Sequence, residues 1–487
     1  MPSQIQPGRP GNLTPEQEAR LREMWSMTLK LFGVAALYPP KDSLTSSPNG
    51  MMKPLSRTST TGESADTIKK KKRFSVFKKD KDKDKDKKRR GSDASSNDKH
   101  GQTKAFKVAM ASLSGEDIRK AMWDMTKHDH PDGLLLRFLR ARKWDVQAAL
   151  VMMISTMHWR LSEAKVDSDI MLEGEEGMIK AAKGEESAAS PKDGEDFMTQ
   201  IRMGKSFLRG VDKEGRPMCF VRVRLHRQGE QSEASLERFT VYTIETARMF
   251  LKPPVDTATI IFDMTDFSLS NMDYTPVKFM IKCFEANYPE SLGAVLVHRA
   301  PWLFSSIWSI IRGWLDPVVA SKIHFTKSQS DLEQFIPKSN IIKELGGEVD
   351  WTYKYVEPVP GENNAMKDSA RREKLQDERM EMVKQYEEKT MEWVYAYDKS
   401  QNVAKEDQLR IANERNEIAA DLRDNYWQLD PYVRARSLYD RTGMLKDFTG
   451  APDMDEDERF TTAPATPMKQ SLDAKRSMDV TRVNGAA

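Results

Sequence analysis

Four short apolar runs separated by helical stretches fix the kind of sheet this chain builds. Met218-Cys-Phe-Val-Arg-Val-Arg-Leu225 alternates with a period of two, while Ala258-Thr-Ile-Ile-Phe-Asp-Met264 and Gly293-Ala-Val-Leu-Val-His298 are continuous and Ile323-His-Phe-Thr326 is short. β-Branched and aromatic residues suit a pleated surface, and unbroken apolar runs suit strands covered on both faces. Helical spacing fills the gaps, around Ser235 to Leu251, Met272 to Asn287 and Trp302 to Ile311. Parallel neighbours need a long crossover, usually a helix. The pattern predicts an α/β domain over residues 198–350, with a mixed, largely parallel sheet and helices packed on it.

Upstream, the spacing is helical throughout. In Leu134-Leu-Leu-Arg-Phe-Leu-Arg-Ala-Arg-Lys-Trp-Asp-Val146, residues Leu135, Phe138 and Leu139 share one face, and Arg137, Arg140 and Arg142 or Lys143 crowd the other. Asp145 can cap a second apolar helix through Val146, Leu150, Met153 and Trp159, so a helical hairpin is expected within 114–162. Leu21, Met24, Trp25, Leu29 and Phe32, behind Thr14-Pro15-Glu16, predict a further helix within 12–33 that needs a partner.

Between these helices, residues 34–113 turn to Ser, Thr, Pro, Lys and Asp, a composition that cannot bury enough surface to offset ordering. A disordered basic insertion is expected there. Residues 163–197, rich in Glu, Lys, Gly and Ala, predict a surface loop that includes at most a short helix. After the break at Glu357-Pro-Val-Pro-Gly361, two long charged helices, roughly Met366 to Tyr397 and Val403 to Trp427, predict a helical extension over 365–428, followed by an unfolded tail over 448–487.

Charge is local rather than global. The chain of 487 residues carries only +3, yet Lys69 to Arg90 holds fourteen Lys or Arg against four Asp. This argues against nucleic acid as a partner. Within that run Lys69, Lys70, Lys71, Lys72 and Arg73 flank Phe74 and Phe77, a composition that attaches to anionic lipid at about 1 kcal/mol per basic residue. An import signal or a solubilising linker would use the same residues. Cys219 and Cys283 sit in apolar segments without metal-ligand spacing, no apolar run reaches the roughly 18 to 20 residues of a membrane span, and the first residues lack a signal peptide's apolar region. Reduced thiols and a cytoplasmic, monomeric protein with transient peripheral membrane contact are expected.

Catalytic signatures are missing. There is no Gly-x-Ser-x-Gly or His-Glu-x-x-His, and Gly204-Lys205-Ser206 lacks the glycine five residues earlier that a phosphate loop requires, Thr199 standing there. Neither enzyme activity, cofactor nor metal is expected. The segment after Pro301 is different: Trp302, Phe304, Ile307, Trp308, Ile310, Ile311 and Trp314 cover more than one helical face, more than one sheet contact consumes. They belong either to a fully buried core helix or to a lid over an apolar cavity.

Leu134 to Val146, the Asp212-Lys-Glu-Gly-Arg-Pro217 turn, Tyr288-Pro-Glu290, Ala300-Pro301 and Leu315-Asp-Pro to Ser321-Lys322-Ile323, in this order, resemble the CRAL-TRIO lipid-binding family. The likeness is best to fungal phosphatidylinositol transfer proteins of the Sec-fourteen type, and Gly8-Arg-Pro-Gly-Asn-Leu13 is similar to their start. The resemblance implies a pocket with the sheet as floor and a gate helix carrying Trp302, Phe304, Ile307, Trp308, Ile311, Trp314 and Leu315. It also implies that Glu290 and Lys322 hold inositol hydroxyls and phosphate, that Arg142 and Lys143 supply a basic pair, and that Ser268 and Ser270 match hydroxyls associated with phosphatidylcholine. Val319 and Ser291 replace a Thr and an Arg of the family pattern, and the strand after Pro217 lacks its tyrosine-bearing form, which argues against choline lipid. The expected function is a soluble carrier of one phospholipid, phosphatidylinositol first, moved between membranes or presented for phosphoinositide synthesis. The alternatives are a lipid-sensing scaffold and a carrier of a non-inositol apolar lipid.

Overall fold

The computed structural model describes residues 5–34, 98–398 and 403–449. The basic run Lys69–Phe77 and nearly all of the C-terminal tail lie outside the described residues. Helices of eight residues or more are numbered below in chain order.

The expected α/β class is the one observed. Five strands, β1 Ser206–Val211, β2 Pro217–Arg222, β3 Ala258–Asp263, β4 Leu292–His298 and β5 Ile323–Thr326, lie side by side in that order. β1 pairs antiparallel with β2, and β2 to β5 are parallel. β1 escapes periodicity because its register slips between Leu208 and Val211, around Gly210 at φ +61°. The buried Asp212 fixes the β1–β2 turn, accepting from the backbone N–H of Glu214 and Arg216, both at 2.9 Å.

Strand alternation gives the sheet two distinct faces. Phe207, Met218, Phe220, Ile261 and Leu296 form a solid core with Leu332, Ile336, Ile341, Ile342 and Leu345. The other face carries the crossover helices.

Ahead of the sheet, α1 Pro15–Phe32, α2 Gln102–Ser112, α3 Gly115–Thr126, α4 Pro131–Ala141 and α5 Val146–His158 form the helical part. Asp145 caps α5 by accepting from the Ala148 N–H at 3.0 Å. The expectation of disorder up to residue 113 is corrected at its end, because α2 buries Gln102 and Ala109. The basic face of α4 is engaged within the fold. Arg137 is buried and donates to the carbonyls of Glu290 (3.0 Å) and Asp256 (2.6 Å), while Arg140 pairs with Asp256 at 2.9 Å.

The loop expected over 163–197 is also corrected. The chain runs through π-helical turns at Trp159–Glu163 and Val166–Met171 into α6 Leu172–Ala182 and α7 Pro191–Arg202. Val166, Met178, Phe197 and Met198 are buried in the main core. The glycines that suggested looseness serve close packing instead, since a Cβ on Gly194 would stand 2.5 Å from the Met178 carbonyl oxygen. Crossovers on the sheet are made by α8 Glu233–Met249, α9 Tyr274–Lys282 and α10 Phe304–Arg312.

The C-terminal helices α11 Ser369–Ala396 and α12 Lys405–Val433 pack on the N-terminal helical part. Arg415 of α12 forms a two-pronged pair with Asp132 of α4 at 2.7 and 3.1 Å, and Arg119 of α3 meets Glu387 of α11 at 2.8 Å. The chain then returns to the sheet, where the Leu208 N–H of edge strand β1 donates to the Tyr439 hydroxyl at 2.8 Å. An otherwise open sheet edge is thereby covered.

Candidate functional site

Alternation along the strands brings Val221, Ile260, Phe262, Val295 and Val297 to the face away from the solid core, and register pairs Ile260 with Val295 and Phe262 with Val297. Over this floor lies a cavity of about 1340 Å³, its mouth included. Leu236, Phe239 and Thr240 of α8, and Val277, Met280 and Ile281 of α9, form its walls. Phe304, Trp308 and Ile311 of α10, followed by Leu315 and Val319, roof it. Side chains that would fill a core between helix and sheet thus line a void, so α10 roofs a cavity and does not complete a solid core.

The structure divides the expected lid residues. Ile307 is buried beside Met264, Phe267 and Val297. Trp302 does not reach the cavity and is 87% exposed; Trp314 also lies outside, edge-on to Tyr274 at 5.3 Å and under the Lys278 ammonium at 4.8 Å. Both stand in the turns flanking α10, outside the helix whose inward face roofs the cavity. Beyond α10, Glu285 anchors the following turn, accepting from the Asp316 N–H at 2.6 Å and from Lys99 and His100, each at 2.7 Å.

None of the six expected headgroup residues lines the cavity. Glu290 and Lys322 precede β4 and β5 and pair with each other at 3.6 Å, next to the lining residues Leu292 and Ile323. Glu290 holds a left-handed φ of 54°, with its carbonyl fixed by Arg137. Arg142 donates to Gln102 of α2, and Lys143 occupies the α4–α5 turn at φ 50°. The Ser268 and Ser270 hydroxyls bond each other at 2.7 Å, while their neighbours Asn271 and Met272 face the void.

The polar lining that does exist was not legible in sequence. Gln200, Lys205, His226, Asn271 and Asp273 gather at the opposite end of the strands from Glu290, since Ser206 pairs with Val221 near the C-terminal end of β2. Lys205 could only be noticed as part of a broken phosphate-loop pattern, and His226 and Asp273 sit in no motif. Burial pushes the Lys205 ammonium down to about 8. It also lowers the His226 imidazole, with the neighbouring Lys205 charge adding to the effect.

The pattern of the CRAL/TRIO domain matches residues 201–347, and that of the CRAL/TRIO N-terminal domain matches residues 102–155. A CRAL-TRIO domain-containing protein of Schizosaccharomyces pombe is 44% identical over 441 residues, covering 90% of this chain and 92% of that protein. The chain belongs to the CRAL-TRIO family. The phosphatidylinositol transfer protein CSR1 of Eremothecium gossypii is 37% identical over 450 residues, covering 90% of this chain and 98% of its own length. Both alignments exceed the CRAL-TRIO domains proper, so most of the C-terminal extension has counterparts in these relatives. Among the described residues no helix is long and apolar enough to cross a membrane.

Proposed function

We propose that this CRAL-TRIO protein is a non-enzymatic lipid carrier, which encloses one lipid beneath α10 and exchanges it at membrane surfaces. The apolar void between the sheet and α10 carries this reading. Exposing acyl chains to water costs about 0.8 kcal/mol per methylene, so a two-chain lipid crosses water at a useful rate only when enclosed. No fuel is needed, because exchange is downhill or neutral.

Opening is assigned to α10, which with the turn ahead of it offers Ile310 and Trp302, 48% and 87% exposed, to a bilayer. Indole rings favour the membrane–water interface. The basic run from Lys69 to Arg73, with Phe74 and Phe77, would add transient attraction to anionic lipid.

Phosphatidylinositol is the cargo to test first, on the strength of the name borne by the Eremothecium relative. In this reading the Glu290–Lys322 pair opens to accept inositol hydroxyls and phosphate, a carboxylate and an ammonium being suited to those groups. Arg142 and Lys143 stand ready from the helical part, while Ser268 and Ser270 are left for other heads. Transfer of labelled phosphatidylinositol between donor and acceptor vesicles is the test. The protein should move many lipids per molecule, and binding without transfer would defeat the carrier reading.

A further inference from the structure

The polar end of the cavity centres on a cation that, among the described residues, touches no carboxylate, Glu230, Asp196 and Asp273 acting on it only from beyond contact. Lys205 stands one residue ahead of β1 and is 5% exposed. Its ammonium contacts Gln231 Oε1 at 2.7 Å, His226 Nδ1 at 3.1 Å and Gln200 Oε1 at 3.3 Å, all neutral acceptors. Because His226 Nδ1 accepts, its proton sits on Nε2, which faces Asp273 at 3.4 Å without a hydrogen bond. Asp273 is thus held on the far side of the imidazole from the ammonium, and it also caps α9 by accepting from the Thr275 N–H at 3.0 Å.

Taking an ammonium out of water is costly unless a counter-charge replaces the lost hydration. Elsewhere in the protein the buried cations Lys127, Arg160 and Arg434 contact carboxylates directly, while Arg137 and Arg379 donate to backbone carbonyls. Lys205 differs from all five in bordering the void, where its ammonium has only neutral side-chain contacts.

We infer that this end of the cavity receives the acidic head of an amphiphile, a carboxylate or a phosphate, through Lys205, with the apolar tail laid over Ile260, Phe262 and Val295. The inference rests on the cavity being a lipid site. An acid oxygen takes the place of the longest ammonium contact, the one to Gln200, and His226 keeps the ammonium aimed into the void. This subsite is separate from the Glu290–Lys322 pair and lies at the opposite ends of the strands, so an acidic amphiphile seated here is a cargo other than phosphatidylinositol.

The test uses the full chain stripped of co-purified lipid and two probe pairs of matched tail. Parinaric acid is compared with parinaryl alcohol, and pyrene-labelled phosphatidic acid with pyrene-labelled diacylglycerol. The wild type should bind the acidic member of at least one pair about tenfold or more tightly than the neutral member, as a charge-assisted contact warrants. The pair that shows the preference identifies the head as carboxylate or phosphate. Lys205→Met should reduce acid binding to the neutral level with neutral binding unchanged, and Lys205→Arg should keep the preference.

Equal binding within both pairs, or a preference that survives Lys205→Met, overturns the inference. Should Lys205→Met lose every probe, the arginine variant decides: a retained acid preference supports the assignment and its loss overturns it. Failure of the wild type to bind any probe rejects the lipid cavity itself, a result distinct from binding without preference for the acid.

Discussion

Replacing Arg415 by Met should reveal how tightly the C-terminal hairpin is built into the lipid-binding module. The Arg415 side chain is 3% exposed and meets Asp132, itself 9% exposed, through both terminal guanidinium nitrogens. It also donates to the Tyr386 hydroxyl at 2.8 Å and to Thr390 at 2.9 Å. Asp132 further accepts from the Trp25 indole at 2.6 Å and the Tyr386 hydroxyl at 3.0 Å, so α1, α4, α11 and α12 meet at one carboxylate. Burial works to raise the Asp132 carboxyl, but Arg415, His130 and the hydrogen bonds overcome it and hold the group down to about 2.

Removing the guanidinium leaves a buried carboxylate without a counter-charge, which costs about 3–5 kcal/mol. In the wild type the depressed carboxyl contributes stability above the ordinary Asp value of about 4, and that contribution is lost as pH falls from about 4 through about 2. In the variant the unpaired carboxyl rises and protonates more readily, so the penalty should shrink as pH is lowered from 7 toward 5. Urea unfolding at several pH values measures both effects. Adding Asp132→Asn to Arg415→Met should recover part of the loss. A penalty below about 1 kcal/mol at pH 7, or no recovery in the double variant, would refute the reasoning.

Three further outcomes are expected. Glu285→Gln weakens the clasp between Lys99, His100 and the Asp316 N–H, and should speed release of a preloaded fluorescent lipid to vesicles severalfold; an unchanged rate means this clasp does not govern opening. Trp302→Ala should lower partition to vesicles while leaving unfolding within about 0.5 kcal/mol, since the indole is 87% exposed and contributes little to the fold. Gly194→Ala should destabilise by roughly 1–3 kcal/mol in thermal melts, because the added methyl meets backbone atoms of Met178 and Ala182 at 2.5 and 2.6 Å that cannot rotate away.

Much of the architecture was written locally. The strands β2 to β5 announced themselves because a strand's side chains alternate and a doubly covered strand must be apolar along its length. Leu135, Phe138, Leu139 and the Asp145 cap likewise follow from helical geometry alone. What misled was composition read without packing. Glycine and alanine in 163–197 suggested a loose loop, yet small residues are also what closely packed helices require, and only the juxtaposition of Gly194 with Met178 distinguishes the two.

The lid and the charges show the division most plainly. The sequence determined that a segment from Trp302 to Leu315 carried more apolar surface than one contact uses, but not that a void lay beneath it, because a void is a relation among α8, α9, α10 and the sheet. It determined that α4 has a basic face, but not that Arg137 spends it on the carbonyls of Glu290 and Asp256, more than a hundred residues away. Lys205, His226 and Asp273 share no periodicity at all. They meet because β1 pairs antiparallel with β2 and α9 begins at the same end of the sheet, so their chemistry exists only once the chain has folded.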